Sequence, residues 1–207
     1  MPEFEGGVVV HDHWRAYYAL ENVLHAFCNA HLLRELQAVC EFDKEPWAEA
    51  LRATLLDANA AVQKAKAEGA SALPPETVKA FEDRYWAAVR EGLALHRSRP
   101  AFDPSKSPKR RKKQRPAHNL LIRFKTFKDA TLRFLTDFAV PFTNNLAEQH
   151  LRMMKVKIKI SGGFRTPQGA ADFASLRSVL SSARKQGLDI LNALTLRPQR
   201  LALELKL

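Results

Sequence analysis

Gly7-Val8-Val9-Val10-His11-Asp12 is the stretch on which the fold turns. Three consecutive valines favour extended backbone, because a side chain branched at Cβ packs well on a pleated surface. Such a run suits a buried strand, and this one closes on a carboxylate. Asp12 is therefore expected at the C-terminal end of a strand, at the rim of a sheet. Working outward, residues 13–21 are rich in aromatics and predict a short helix. Val23-Leu24-His25-Ala26-Phe27-Cys28 predicts a second strand, and from Asn29 onward Leu32, Leu33, Leu36 and Val39 take helical spacing.

The rest of the chain reads as helix. Residues 45–68 are rich in Ala, Leu, Lys and Glu, which favour helix. Gly69 to Pro75 interrupts, and residues 77–96 resume with Phe81, Tyr85, Ala88 and Leu95 on or near one face. Two helices joined this way predict an antiparallel hairpin. Residues 99–116 hold four prolines and the run Lys109-Arg110-Arg111-Lys112-Lys113-Gln114-Arg115, which predicts an exposed loop. Helix is expected again from His118 to about Phe138, with Leu121, Phe124, Phe127, Leu132 and Leu135 in the core. Pro141 stops it. A further helix is expected from Phe142–Glu148 to about Lys155, followed by a basic segment with two glycines, residues 157–165. Residues 168–186 predict a helix with Phe173, Leu176, Val179, Leu180 and Ala183 inward and Gly187 just past its end. A last short helix is expected from Asp189. No internal repeat is present.

Composition narrows the function classes. The 207 residues suffice for one or two domains with a sizeable core. No apolar run approaches the roughly 18 residues of a membrane span. Residues 1–7 carry two glutamates and lack the basic start of a secretory signal, so a cytoplasmic protein is expected. Lys and Arg number 33 against 22 Asp and Glu, a net charge of +11. That excess favours a polyanionic partner, either nucleic acid or an anionic membrane. No basic amphipathic helix with an aromatic apolar face stands out, which favours nucleic acid. Cys28 and Cys40 are too few for a disulfide framework and read as small buried hydrophobes.

Carboxylates are the candidates for chemistry. Acids from separate parts of a fold can converge on divalent metals such as Mg²⁺, which prefer carboxylate oxygen. Two such metals can drive in-line attack on a phosphodiester. Asp12 suits this by its position. Glu148 has Arg152 four residues on and Lys155 seven residues on, so the three share a helix face. Two readings fit that face. Asn145 with Glu148 resembles a capping box and Glu148 with Arg152 an ordinary ion pair. Alternatively, an acid beside two cations holds a metal and clamps phosphates.

Three blocks carry a family resemblance. Residues 141–157, Pro-Phe-Thr-Asn-Asn-Leu-Ala-Glu-Gln-His-Leu-Arg-Met-Met-Lys-Val-Lys, resemble the third-acid block of the insertion-sequence-66 family of DDE transposases. His11-Asp12-His13-Trp14, continuing through Tyr17 and Tyr18 to Cys28-Asn29-Ala30-His31-Leu32-Leu33-Arg34-Glu35, resembles its second-acid region. Ser161-Gly162-Gly163-Phe164-Arg165, with Ala170, Phe173, Arg177-Ser178-Val179 and Ala183-Arg184-Lys185-Gln186-Gly187, fits its closing block. The blocks stand in the family's order.

The resemblance implies an α/β fold in which helix predominates. Residues 1–40 would be a partial RNase H-like core carrying the second acid, Asp12. Residues 41–140 would be a large helical insertion with the basic loop 103–117. Residues 141–207 would be core helices carrying the third acid, Glu148. It further implies Mg²⁺ (or Mn²⁺) at Asp12 and Glu148, and DNA as partner, both transposon ends and target. Active assembly as a homodimer, a nucleoid-associated location, and neither a membrane nor a small-molecule substrate are also implied. Lys155 matches the basic residue that contacts DNA near the transposon end in related enzymes. Arg152, Lys157, Lys159, Arg165, Asn144 and Asn145 are further candidates for DNA contact, as are Lys109, Arg110, Arg111 and Lys112. The family's first acid has no counterpart here. Only Glu3 and Glu5 precede Asp12, on no expected strand, so the chain is expected to be a truncated catalytic part, inactive alone.

Cys28 and His31 have half of a zinc-ligand spacing, but no second Cys/His pair accompanies them, and Cys28 reads as core. His11 and His13 flank Asp12 and read as structural or DNA-positioning.

Overall fold

The computed structural model describes residues 6–100, 115–196 and 200. The chain divides into two units, Met1–Asn144 and Asn145–Leu207. It is mostly helical, with one small parallel sheet among the described residues.

In the first unit, β1 (Val8–His11) pairs in parallel with β2 (Leu24–Phe27), from Val8 opposite Leu24 to His11 opposite Phe27. About a dozen residues is the least that can return a chain to a parallel neighbour. Here the return is made by a tight 3₁₀ turn at Arg15–Ala19, shorter than the expected helix over 13–21. The Leu24 N–H donates to the Gly7 carbonyl and the Cys28 N–H to the His11 carbonyl. That pattern turns the N–H and C=O groups of Val8 and Val10 away from β2, and no strand pairs with that edge among the described residues. On the far side of β2, Arg133 Nε donates to the His25 carbonyl at 2.9 Å.

Five helices complete the unit. α1 (Asn29–Ala38) passes into a π-turn at Val39–Asp43, which Lys44 ends in the left-handed conformation, φ 53°. Asn29 ties the start of α1 down: its N–H donates to the Phe142 carbonyl at 3.0 Å and its Nδ2 to the Thr131 carbonyl at 3.1 Å. α2 (Pro46–Ala67) and α3 (Pro75–Ser98) are the expected hairpin, each opened by a proline whose missing N–H costs nothing there. α4 (Pro116–Thr126) and α5 (Lys128–Thr136) replace the single helix expected between His118 and Phe138. The break falls at Phe127, φ −117° and ψ 37°, where the sequence holds neither Gly nor Pro. Its ring lies 5.1 Å from that of His13, 5.4 Å from Tyr18 and 5.5 Å from Phe27. A tertiary aromatic cluster thus overrides local helix propensity. The carbonyls nearby stay satisfied: Tyr85 Oη donates to that of Phe124 and Thr131 Oγ1 to that of Phe127.

Trp47, Leu51, Leu55, Tyr85, Val89, Leu121 and Phe124 are fully buried and form the centre of the core. Gly92 permits it. A Cβ on this α3 residue would lie 2.6 Å from Leu121 Cδ2 and 2.8 Å from Trp47 Cγ. Gly92→Ala is therefore expected to destabilise the unit by about 1–3 kcal/mol through overpacking, although alanine is the better helix former by about 1 kcal/mol. Urea unfolding of the purified variant checks this; a stabilised variant would contradict it.

The second unit contains α6 (Asn145–Ser161), α7 (Pro167–Lys185) and α8 (Ile190–Thr195). α6 runs past the expected end near Lys155 to Ser161, into the basic segment with two glycines. Thr166 caps α7, its Oγ1 accepting the Gly169 N–H at 3.0 Å, and Asp189 caps α8 by accepting the Asn192 N–H at 2.7 Å. Gly187 ends α7 with φ 73°, and the Leu188 N–H returns to the Ala183 carbonyl. The expected inward face of α7 is only partly realised. Ala183 is buried with Ala193, against Val179 and Leu188, whereas Leu176 is 48% exposed.

Candidate functional site

Asp12 is the first residue beyond β1, and it is exposed. Its Oδ1 accepts the Trp14 N–H at 3.2 Å, an Asx turn. His13, next in the turn, has φ 67°, a conformation that a non-glycine residue adopts only when held there. Two bonds hold it. The His13 N–H donates to His11 Nδ1 at 3.2 Å, and its ring Nδ1 bonds the Tyr18 hydroxyl. The His11 ring is buried, stacked on Tyr17 at 4.8 Å and edge-on to Phe27 at 5.4 Å. Because its Nδ1 is an acceptor, the proton of neutral His11 sits on Nε2, which donates to His25 Nδ1 at 3.1 Å. Burial first, and then the neighbouring His25, pull His11 down to about 4, so the ring is neutral at pH 7 and this tautomer persists. His13 is lowered as well, by burial and then by Arg123. Burial pushes the Tyr18 hydroxyl up to about 12.

Two groups that the sequence did not single out stand in the same neighbourhood. Arg123 donates to Glu35 Oε1 at 2.6 Å, and Arg123, Glu35 and Asp12 all act on the charge of His13. Arg123 and Glu35 are 88 residues apart in the chain, so no local pattern could join them. The end of β1 is thus a rim of rigid rings with two carboxylates and a guanidinium around it. Cys28 behaves as read: it is buried, and its Sγ accepts the Asn144 N–H at 3.3 Å.

The remaining sequence candidates divide between the units. Asn144 closes the first unit, and its Oδ1 is buried without a hydrogen-bond partner among the described residues. Asn145 opens α6 and Glu148 lies in its first turn, where the helix dipole favours a carboxylate. At 100° per residue, Glu148, Arg152, Lys155 and Lys159 form one stripe along α6. Arg152, Lys155 and Lys159 are exposed and Glu148 is half-buried. Because α6 extends to Ser161, Lys157 falls on the opposite side, where its Nζ donates to Ser161 Oγ at 3.1 Å. Arg165 is exposed in the turn before α7. Lys109, Arg110, Arg111 and Lys112 lie outside the described residues.

A sequence model described as Transposase IS66 family matches residues 1–172. The chain belongs to this family. Comparison with curated proteins returns no match, and neither does comparison with solved structures. The stretch matched to the IS66 transposases contains both Asp12 and Glu148 and ends inside α7. No described helix is long and apolar enough to cross a membrane.

Proposed function

We propose that this IS66-family chain is the part of a DDE transposase that carries two of its catalytic carboxylates, Asp12 and Glu148, on an RNase H-like core. The observation that carries the reading is Asp12 itself, an exposed acid at the C-terminal end of a parallel strand within a family-matched stretch. The edge of β1 that no strand pairs with among the described residues supports it, since Val8 and Val10 turn their ladder groups that way, as a further strand of such a core would need.

Each acid, taken within its own unit, offers the carboxylate oxygen that a hard divalent cation prefers. Asp12 uses Oδ1 to accept one backbone N–H and presents the rest of its carboxylate to solvent. Glu148 heads a stripe of three exposed cations. Mg²⁺ or Mn²⁺ bound by these acids would supply the two-metal activation of a water or a 3′-hydroxyl for phosphodiester attack. The chain's own residues do the rest. The His11–His25–Tyr18 framework fixes the turn that presents Asp12. Arg152, Lys155 and Lys159 neutralise backbone phosphates beside Glu148, and DNA, both transposon end and target, is the partner. A homodimer in the active assembly belongs to the same proposal.

A second reading has its own observation: the net charge of +11 suits DNA binding whether or not the carboxylates do chemistry. The 207-residue chain alone would then bind DNA without cutting it. Incubation of the purified chain with labelled transposon-end duplex and Mg²⁺ or Mn²⁺ is expected to give no cleavage. Binding is expected to weaken steeply as salt rises. Calorimetric Mn²⁺ affinity is expected to fall about tenfold in Asp12→Asn and in Glu148→Gln. Unchanged affinity in both would remove these acids from the metal site. Robust cleavage by the chain alone would overturn the binding-only reading.

A further inference from the structure

α7 carries a feature that the carboxylates do not explain. Arg177, Ser181, Arg184 and Lys185 are spaced four, seven and eight residues from the first, so a single face of the helix holds all of them. That face lines a cavity of about 480 Å³ in the second unit, which reaches α6 at Gln149. Gln149 is the residue after Glu148. Among the described residues no carboxylate lines the cavity. Neither arginine nor Lys185 pairs with an acid among the described residues. Among the described residues Arg177 Nε is buried without a hydrogen-bond partner, a donor that native structures seldom leave unmet. A second cavity, of about 340 Å³, shares Arg177, Ser181 and Lys185 and adds Ser178 and Ser182. The two cavities thus share one face of α7 as a trough in which these cations and serines stand among apolar side chains, Leu180 and Ile190 in one cavity and Leu151, Met154 and Ala174 in the other.

We infer that this trough is a phosphate-binding site that seats the backbone of a DNA strand, with Arg177 as its central donor. The chemistry is that of phosphate recognition: guanidinium forks give paired donors, lysine a point charge, and serine and glutamine neutral donors. The inference rests on the reading of the chain as a DNA-handling transposase. It adds a contact on the α7 side of Glu148, separate from the Arg152–Lys155–Lys159 stripe of α6.

The test is a salt titration of a fluorescein-labelled DNA duplex with the full chain, read by anisotropy. The variants are Arg177→Gln/Arg184→Gln/Lys185→Gln and a control, Lys64→Gln/Arg97→Gln/Lys125→Gln. The control has the same charge change on exposed residues of the first unit. Each lost phosphate contact lowers the slope of log K against log salt by about 0.9, so the trough variant should lose about 2–3 in slope and bind at least about tenfold more weakly. The control should keep its slope. Far-UV circular dichroism confirms that both are folded, and Arg177→Lys, which keeps the charge but not the fork, should fall between. If trough variant and control weaken alike, the site is overturned while DNA binding stands. If the unmodified chain binds no duplex even at low salt, the DNA-handling reading fails and the inference with it. A thermal-shift arm with inorganic phosphate separates the ligand sources. Loss of phosphate stabilisation in the trough variant, with DNA binding intact, would assign the trough to a free anion and overturn the strand-binding claim.

Discussion

Glu45→Ala is expected to destabilise the first unit by about 3–5 kcal/mol, the range for removing one partner from a buried ion cluster. Glu45 immediately precedes α2, and its side chain is 1% exposed. Oε2 accepts from Trp47 Nε1 and from His96 Nε2, the latter at 2.9 Å, and Oε1 accepts from the Arg99 guanidinium at 2.5 Å. The node joins the start of α2 to the end of α3, and His96 in turn stacks on His118 of α4 at 5.2 Å. Truncation would leave a buried imidazole and indole N–H without their acceptor and a guanidinium without its charge partner. Glu45→Gln keeps the shape and one oxygen, so a smaller loss of about 1–3 kcal/mol is expected.

The same node sets a pH dependence. Burial alone would raise the Glu45 carboxyl, but the hydrogen bonds from Trp47, Arg99 and His96 outweigh it and hold the group below its ordinary 4.5. With the folded value depressed, the unfolded state binds more protons. The stabilisation is fully present above about 4.5 and is lost as pH falls through the lower folded value. Urea midpoints followed by tryptophan fluorescence report this unit alone, because Trp14, Trp47 and Trp86 all lie in it. The decline below 4.5 should flatten in Glu45→Gln. Equal slopes in the two proteins would show that Glu45 does not carry the dependence.

Trp47→Ala is expected to cost a similar amount, about 3–5 kcal/mol, for a different reason. Trp47 is 0% exposed and fills the space that Gly92 leaves open between α2, α3 and α4. Its loss creates a cavity between helices that cannot collapse, because the bond of Tyr85 to the Phe124 carbonyl fixes α3 against α4. Trp47→Phe keeps most of the buried area but removes the indole donor to Glu45, and should cost about 1–3 kcal/mol. The two sites share a hydrogen bond, so the double variant Glu45→Ala/Trp47→Ala should lose less than the sum of the singles. Strict additivity would mean that the indole N–H contributes nothing to the node.

Much of the local structure was legible because it rests on local rules. β1, the α2–α3 hairpin and the stop of α7 follow from the valine run, from the Gly69–Pro75 break and from Gly187. What was illegible depends on partners far along the chain. Glu45 reads locally as the residue ahead of a proline-opened helix, and nothing nearby announces that His96 and Arg99 will close on it. The break at Phe127 has no breaker residue; it follows from rings supplied by β2 and by the turn after β1. Leu176 and its neighbours have the spacing of a buried face, but of the α7 residues only Ala183 is buried among the described residues.

The sequence by itself determined the family, the strand that Asp12 follows, the helix that carries Glu148 and the cationic row beyond it. These are set by periodicity, by residue order and by charge, all of which are written along the chain. Only the tertiary structure decided what surrounds them. It supplied the His11–His25 pair that fixes the Asp12 turn, the Glu35–Arg123 pair beside it, and the trough that unites Arg177, Ser181 and Lys185 with Gln149 of another helix. Side chains from distant segments meet only when burial of the apolar faces brings their elements together, and no local pattern encodes that meeting.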